Sequence, residues 1–265
     1  MPFETFNPFK QPPKRDAETH KANVAVVRAL LGEKDAEEYE ELTKGDVVDA
    51  TPPLITAEDL AKVASMQEAE RNRETKAEKT KRLWMEWADR FGIDEDEIEE
   101  KAEFQENGDV VWEGKCDWDN RGLTKFPPNF VAVTGNFYCR YNQLTSLEGA
   151  PQKVGGSFYC RDNQLTSLEG APQTVGGSFS CSYNQLTSLE GAPQTVEGAF
   201  WCDNNQLTNL EGCPQTVGGN FYCNNNPLLT TIPAGIHIGG SVYISKDQQQ
   251  LRADAESKGY TVYIL

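Results

Sequence analysis

The side chains with the greatest potential for chemistry are seven cysteines, five of which recur at intervals of 21 residues. These five are Cys139, Cys160, Cys181, Cys202 and Cys223. A zinc site is disfavoured, because the chain has no Cys-x-x-Cys pair and its two histidines, His20 and His237, lie far apart in the sequence. A disulfide framework is the alternative, but an odd cysteine count and a regular ladder both favour buried thiols. We therefore expect reduced cysteines and an intracellular protein.

The carboxylates form no clear catalytic or metal-binding pattern. The acidic run DEDEIEE at residues 94–100 lacks the D-x-D-x-D-G spacing of a calcium loop and is typical of a solvated helix face. The chain also has no Ser-His-Asp set and no Gly-rich loop between a strand and a helix. One glutamate recurs in four successive repeats, where a solvated face is favoured over a stripe of metal sites: Glu148, Glu169, Glu190 and Glu211. We expect neither enzymatic activity nor a cofactor.

The elements that position these residues are tandem repeats, which run from Asn136 to Gly240 without an insertion. A fixed period of this length is typical of a solenoid, in which equivalent coils stack. Each repeat opens with alternating inward and outward residues, with Phe137 and Cys139 on one face, and this alternation predicts a strand buried on one side. Stacking then forms a phenylalanine column beside the cysteine column: Phe137, Phe158, Phe179, Phe200 and Phe221.

Further columns follow from the same register. An asparagine three residues after each cysteine is expected to satisfy backbone groups of the next coil: Asn142, Asn163, Asn184, Asn205 and Asn226. Two leucine columns and one valine column are expected to close the core on the opposite side. They are Leu144, Leu165, Leu186, Leu207 and Leu228, then Leu147, Leu168, Leu189 and Leu210, and finally Val154, Val175, Val196, Val217 and Ile238.

The pattern F-x-C-x-x-N-x-L-x-x-L resembles the leucine-rich repeat, L-x-x-L-x-L-x-x-N/C-x-L, with Phe and Cys at the two strand positions. More narrowly, N-Q-L-T-S-L-E-G-A-P-Q-x-V is similar to the short repeats of secreted bacterial effectors and to tandem arrays in bacteriophage proteins. The effector repeat is one residue shorter and has Pro-x where this chain has Glu-Gly. The resemblance spans about residues 115–245. It implies an α/β repeat solenoid with a parallel β-sheet, whose outward side chains form a concave binding face.

The predicted binding face carries a row of aromatic residues, which Ser180 interrupts and which Arg140 and Arg161 flank at one end. The aromatic members are Tyr138, Tyr159, Trp201, Tyr222 and Tyr243. Tyrosine, tryptophan and arginine are enriched at the energetic centres of protein interfaces, so we predict that this face binds a partner. Two alternatives remain open: the rings only stabilise the sheet by stacking, or they bind sugar rings.

Charge separates the chain into two parts. Of its 25 basic and 41 acidic residues, residues 1–114 hold 16 and 29, a net charge of −13. This excess of acid disfavours nucleic acid or an anionic membrane as the partner. No apolar run is long enough to span a membrane, and the N-terminal residues lack the apolar core of a signal peptide.

The remaining elements are predicted from local patterns. Trp84 and Trp87 are expected to dock on the first repeat, and the last six residues are expected to form a strand that closes the final sheet edge. The predicted segments are an extended arm at 1–15, an acidic helical region at 16–110 with a long helix at about 56–91 and another helix at 94–106, the solenoid at 111–245, and a C-terminal helix–strand cap at 246–265.

These features predict a non-enzymatic protein–protein interaction module whose N-terminal helices tether it to a larger assembly. The resemblance to phage arrays implies a bacteriophage virion as the setting, with another subunit of the assembly as partner. The alternative is a secreted effector whose repeats bind a host protein, and without a signal peptide its export would be contact-dependent.

Overall fold

The computed structural model describes residues 74–265, together with Ser65. The predicted arm at 1–15 and the helices predicted between residues 16 and 73 lie outside the described residues. Helix α1, Lys76–Phe91, begins at a capping box in which the Thr75 and Glu78 side chains each accept a hydrogen bond from the other residue's backbone N–H. Thr75 is extended, so the long helix predicted at 56–91 does not run unbroken through this residue. The capping box starts a new helix instead.

The helix predicted at 94–106 is shorter in the structure. Helix α2 covers Glu95–Lys101, and the chain continues directly into strand β1, Ala102–Phe104. Strand β1 pairs antiparallel with β2, Val110–Trp112. The prediction of helix was therefore wrong beyond α2, because the backbone of the next residues gains a hydrogen-bonding partner in this hairpin.

Two sheets share one core, and all their strand pairs are parallel except β1–β2. The strands of sheet II are β3 Cys116–Asp117, β5 Phe137–Tyr138, β7 Phe158–Tyr159, β9 Phe179–Ser180, β11 Phe200–Trp201, β13 Phe221–Tyr222, β15 Val242–Ile244 and β16 Val262–Ile264, which pair in this order. Sheet I continues β1 and β2 with β4 Phe130–Val133, β6 Lys153–Val154, β8 Thr174–Val175, β10 Thr195–Val196, β12 Thr216–Val217 and β14 His237–Ile238.

Sheet I corrects the expectation of a single sheet. The valine column was expected to close the core, and no strand was predicted there. Most of these residues lie in a two-residue strand that pairs with its equivalent one coil away, as Val154 pairs with Val175. An exposed residue precedes each buried valine in most of these strands, which is the alternation of a one-sided sheet. The chain is therefore a parallel β-solenoid, and in the described residues its helices lie outside the repeats.

The core columns have the predicted register. Phe137 pairs with Phe158, and the phenylalanine and cysteine columns are fully buried, as predicted. One leucine is an exception: Leu228 is 64% exposed and Leu229 is buried instead. A turn closed by the hydrogen bond from the N–H of Leu229 to the carbonyl of Asn226, at 3.0 Å, points Leu229 into the core.

The asparagine ladder links consecutive coils. The side-chain oxygen of Asn184 accepts the backbone N–H of Leu165 at 3.0 Å, and its amide donates to the carbonyls of Cys160 at 3.2 Å and Cys181 at 3.0 Å. Leu165 and Cys160 belong to the preceding coil, not to the next one as predicted. The direction follows from the Oδ1 atom, which reaches back to the amide that the earlier turn leaves unpaired.

Aromatic side chains of α1 pack on the first coil. The Trp118 ring contacts both tryptophans of the helix, with centroid distances of 6.1 Å to Trp84 and 4.8 Å to Trp87. The indole N–H of Trp84 donates to the carbonyl of Pro128 at 2.8 Å. This end of the core is thereby shielded from solvent.

The other end of the described chain is built differently. Helix α3, Gln249–Ser257, buries Leu251 and Ala255, and β16 extends sheet II by one strand. Among the described residues, the outer edge of β16 has no partner strand. The predicted final strand is therefore confirmed and covers the edge of β15, but it does not close the sheet as predicted, because it adds an edge of its own. None of the described helices is both long and apolar enough to cross a membrane.

Candidate functional site

The predicted binding residues lie on the outer face of sheet II. Phe137 and Cys139 point into the core, so Tyr138 between them faces outward. Register pairing then sets Tyr138 beside Tyr159 and Trp201 beside Tyr222. Core packing beneath the sheet therefore fixes the position of each outward ring.

The outward rings form one stack with a single interruption. Here it is called the aromatic row, and its members are Tyr138, Tyr159, Trp201, Tyr222, Tyr243 and Tyr263. Centroid distances are 5.1 Å for Tyr138–Tyr159, 5.4 Å for Trp201–Tyr222, 4.4 Å for Tyr222–Tyr243 and 5.4 Å for Tyr243–Tyr263. All four pairs are close to parallel, within 18°. Desolvation in this stack raises the pKa of the Tyr243 hydroxyl.

Tyr263 was missed by the sequence prediction. It lies 20 residues after Tyr243, so a search at the repeat interval passes over it. The alternating pattern of the last six residues was nevertheless a sufficient signal, because alternation places Tyr263 on the face opposite to Val262 and Ile264. In the structure Tyr263 pairs directly with Tyr243.

The interruption of the row lies at Ser180. The rings of Tyr159 and Trp201 lean over this small residue, with centroids 6.4 Å apart and planes at 37°. Ser180 is consequently buried. A shallow depression of about 270 Å³ adjoins this position and is also lined by Arg161 and Asp203.

The structure brings Arg140 to the aromatic row. Its Nε donates to Oδ2 of Asp119 at 2.7 Å, and its guanidinium carbon lies 4.9 Å from the ring centroid of Tyr138. The hydrogen bond to Asp119 raises the pKa of Arg140. Lys115, which the sequence prediction did not include, also lies over the Tyr138 ring, at 5.0 Å.

Arg161 is directed away from the stacked rings. Its guanidinium carbon lies 4.9 Å from the ring centroid of Tyr141, and its Nη1 is 3.1 Å from Oδ2 of Asp162. Arg140 and Arg161 therefore do not form the paired cationic end of the row that their sequence positions predicted. The two arginines differ because Asp119 holds Arg140, whereas Asp162 and Tyr141 attract Arg161 to the corner of the coil.

Two asparagines fix the orientation of rings in the row. The side-chain amide of Asn136 donates to the hydroxyl of Tyr138 at 3.0 Å, and that of Asn220 donates to the hydroxyl of Tyr222 at 3.2 Å. The oxygen of Asn136 also accepts the backbone N–H of Ser157 at 2.7 Å, which ties this asparagine to the next coil. The row is therefore a preorganised surface whose ring faces cover one another and whose ring edges point outward.

The cysteine column contributes packing. Six cysteines are buried: Cys116, Cys139, Cys160, Cys181, Cys202 and Cys223. Burial raises the pKa of each of these thiols, and it raises the pKa of the half-buried Cys213 to about 11. Thiols kept protonated in this way are poor nucleophiles and poor metal ligands. Within residues 74–265, no group of three or more His, Cys, Asp or Glu side chains could hold a metal ion.

In comparisons with known proteins, the chain matches no family model, and no curated protein or solved structure is similar to it at a significant level. The resemblance to leucine-rich repeats therefore depends on the repeat pattern alone.

Proposed function

We propose that this chain is a non-enzymatic interaction module that binds a partner protein through the aromatic row. The observation that carries the proposal is a row of stacked rings, interrupted once at Ser180, on the outside of sheet II. Rings that are already ordered lose little conformational entropy on binding, so more of the contact energy is available for affinity. Tyrosine and tryptophan also combine apolar area with a hydrogen-bonding group, which is why they are enriched at interface centres.

The orientation of the rings favours a protein over a carbohydrate. A sugar ring packs flat against an aromatic face, but in the aromatic row most faces are covered by the neighbouring ring at 4.4–5.4 Å. Ring edges and hydroxyl groups remain accessible, and these suit apolar side chains and backbone carbonyls of a protein partner. Arg140 and Lys115 at one end of the row would favour an acidic neighbour on that partner.

Finer assignments belong to the same proposal. The leucine-rich-repeat class is supported by the asparagine ladder and the buried leucine columns, and α3 with β16 is proposed as a terminal cap. Tethering to a larger assembly, such as a bacteriophage virion, would use the helices predicted between residues 16 and 73. A secreted effector that binds a host protein is the second setting, and the genes next to this one would discriminate between the two.

The test is affinity capture from the native source with three forms of the full chain. The first is the wild type, and the second replaces Tyr138, Tyr159, Trp201 and Tyr222 with serine. Ser180 shows that the sheet accommodates serine in this column, so we expect the second form to fold, with each lost ring pair costing about 0.2–1 kcal/mol of stability. The third form is the control, with glutamine at four exposed positions of another column: Glu148, Glu169, Glu190 and Glu211.

We expect the wild type and the glutamine control to retain the same partner protein and the serine form to lose it. Circular dichroism and thermal unfolding establish that the serine form is folded. Retention of the partner by a folded serine form would refute binding through the aromatic row. Loss of the partner from the glutamine control, with retention by the serine form, would assign binding to the face that carries the glutamate column.

A further inference from the structure

The last strand of sheet II exposes both its backbone edge and apolar side chains. Tyr263 is 53% exposed, Ile264 45% and Leu265 64%, although most other large apolar side chains of the described residues are buried. Strand β16 pairs on one side with β15 and is the terminal strand of its sheet. An exposed apolar edge strand is a template for pairing with another strand.

The hydrogen bonds within the sheet determine which backbone groups of this edge are available. The N–H of Val242 donates to the carbonyl of Thr261, and the N–H of Leu265 donates to the carbonyl of Ile244, both at 2.9 Å. Thr261 and Leu265, on either side of β16, therefore direct these backbone groups toward β15, and by alternation Tyr263 does the same. Because these groups alternate along a strand, Val262 and Ile264 direct their N–H and carbonyl groups outward.

This arrangement is self-complementary about Tyr263. If two β16 strands lie antiparallel with a two-fold axis at Tyr263, Val262 of each copy faces Ile264 of the other. Each of these two facing pairs exchanges two N–H to carbonyl hydrogen bonds, so all four outward groups on each copy are satisfied, four bonds in total. A two-fold interface requires one patch to be complementary to itself, and this edge meets that requirement.

The side chains and charges agree with the same pairing. Tyr263 lies on the outer face, stacked on Tyr243, so the two-fold axis would bring the Tyr263 rings of both copies together at a non-hydrogen-bonded pair, where side chains are closest. Residues 249–265 also carry two basic and two acidic side chains, which form the ion pairs Arg252–Glu256 and Lys258–Asp254. The side-chain charges of this segment thus sum to zero in a chain of net charge −16, so the side chains of two copies add little repulsion here.

We propose that the chain forms a two-fold dimer by antiparallel pairing of β16 with β16 of a second copy. The pairing joins the two sheets II into one sheet and the two aromatic rows into one row. A short strand and three exposed side chains make a small interface, so we expect a dissociation constant in the micromolar range. This inference is independent of the partner proposed for the aromatic row.

The experiment is sedimentation of the full chain over a range of concentrations, with variants that act on the outward backbone. We expect the wild type to change from the mass of one chain, 29.5 kDa, to twice that mass as concentration rises. Ile264→Pro removes an outward N–H and leaves the bonds between β15 and β16 in place, because proline is tolerated on an edge strand when its nitrogen faces away from the ladder. We expect this variant to remain a monomer with unchanged thermal unfolding.

Ile264→Thr is the matched control, because it also removes apolar area at this position but keeps the N–H and the β-branch. We expect it to dimerise, with an affinity reduced at most about tenfold, which corresponds to about 1.4 kcal/mol. Tyr263→Lys places two cations at the axis, and we expect it to weaken the dimer by at least as much, and less so at high salt. A dimer that survives Ile264→Pro, or a wild type that stays monomeric at every concentration, would overturn the proposal.

Amide exchange measured by NMR separates a second copy from other occupants of the edge. In the proposed dimer, the amides of Val262 and Ile264 become protected only as protein concentration rises. Protection at all concentrations would mean that another part of the same chain pairs with the edge, and protection only after addition of a foreign strand would mean that the edge serves a partner. Either result contradicts the dimer.

Discussion

Replacing Asn184 with alanine should lower the free energy of unfolding by about 2–4 kcal/mol. The side chain is buried, and its oxygen accepts the backbone N–H of Leu165 at 3.0 Å in a buried position. Among the described residues this is the hydrogen bond that the structure gives for that N–H. Its loss leaves a buried donor without a partner, which costs about 1–3 kcal/mol.

The carbonyl groups that Asn184 serves are affected less, because each is shared. The carbonyl of Cys160 also accepts from the side-chain amide of Asn163 at 3.1 Å, and the carbonyl of Cys181 also accepts from that of Asn205 at 3.1 Å. Alanine therefore weakens these acceptors without orphaning them, and we assign about 1 kcal/mol to this part. The sum is smaller than a count of all the hydrogen bonds of Asn184 would give.

The assay is chemical denaturation of Asn184→Ala and of Gln185→Ala, which removes a neighbouring exposed amide side chain. We expect the control to change stability by less than about 0.5 kcal/mol. Amide exchange adds a local readout, because the N–H of Leu165 should lose protection in Asn184→Ala and keep it in the control. A loss below about 1 kcal/mol for Asn184→Ala, with the Leu165 amide still protected, would refute the role assigned to the ladder.

Two further predictions concern the cysteine column and the corners of the coils. Burial raises the pKa of the six buried thiols above the unfolded value of about 8.5, so the folded state retains protons that the unfolded state releases. Stability should therefore be complete below about pH 7.5 and should fall as pH rises further, with a slope that approaches about 1.4 kcal/mol per pH unit for each buried thiol above about pH 9.5. Denaturation at several pH values tests this, and Cys181→Val should reduce the slope, whereas a slope unchanged by removal of a buried thiol would contradict it. Tyr183 has a left-handed φ of 54°, as does Asn204 at the equivalent position, and Asn tolerates this conformation better than Tyr. Tyr183→Asn should then be more stable than Tyr183→Ala by about 0.5–1 kcal/mol in thermal unfolding. Both variants lack the ring, and they differ in their tolerance of a positive φ. Equal stabilities of the two variants would show that residue 183 stores no backbone strain.

The repeat pattern was sufficient to predict the inward columns. A fixed interval makes every coil equivalent, so an alternating strand in one repeat places Phe158 over Phe137 and Cys160 over Cys139 once the coils stack. The same alternation placed the aromatic row on the outer face, because successive side chains of a strand point to opposite faces of the sheet. Leu228 shows the limit of this reasoning, since a local turn near the end of the array moved Leu229 into its place.

The sequence by itself determined that the chain coils, which side chains face inward, and that aromatic rings line one outer face, because these follow from the interval and the strand alternation. Only the tertiary structure decided that Thr174–Val175 and its equivalents form a second sheet. A strand of two residues is too short to be predicted from a local pattern, because it exists only through hydrogen bonds to the neighbouring coils. Tertiary contacts likewise decided that Arg140 lies over the row and Arg161 does not. The position of a long charged side chain depends on which carboxylate it reaches, and this is Asp119 of the preceding coil for Arg140 but Asp162 of the same coil for Arg161.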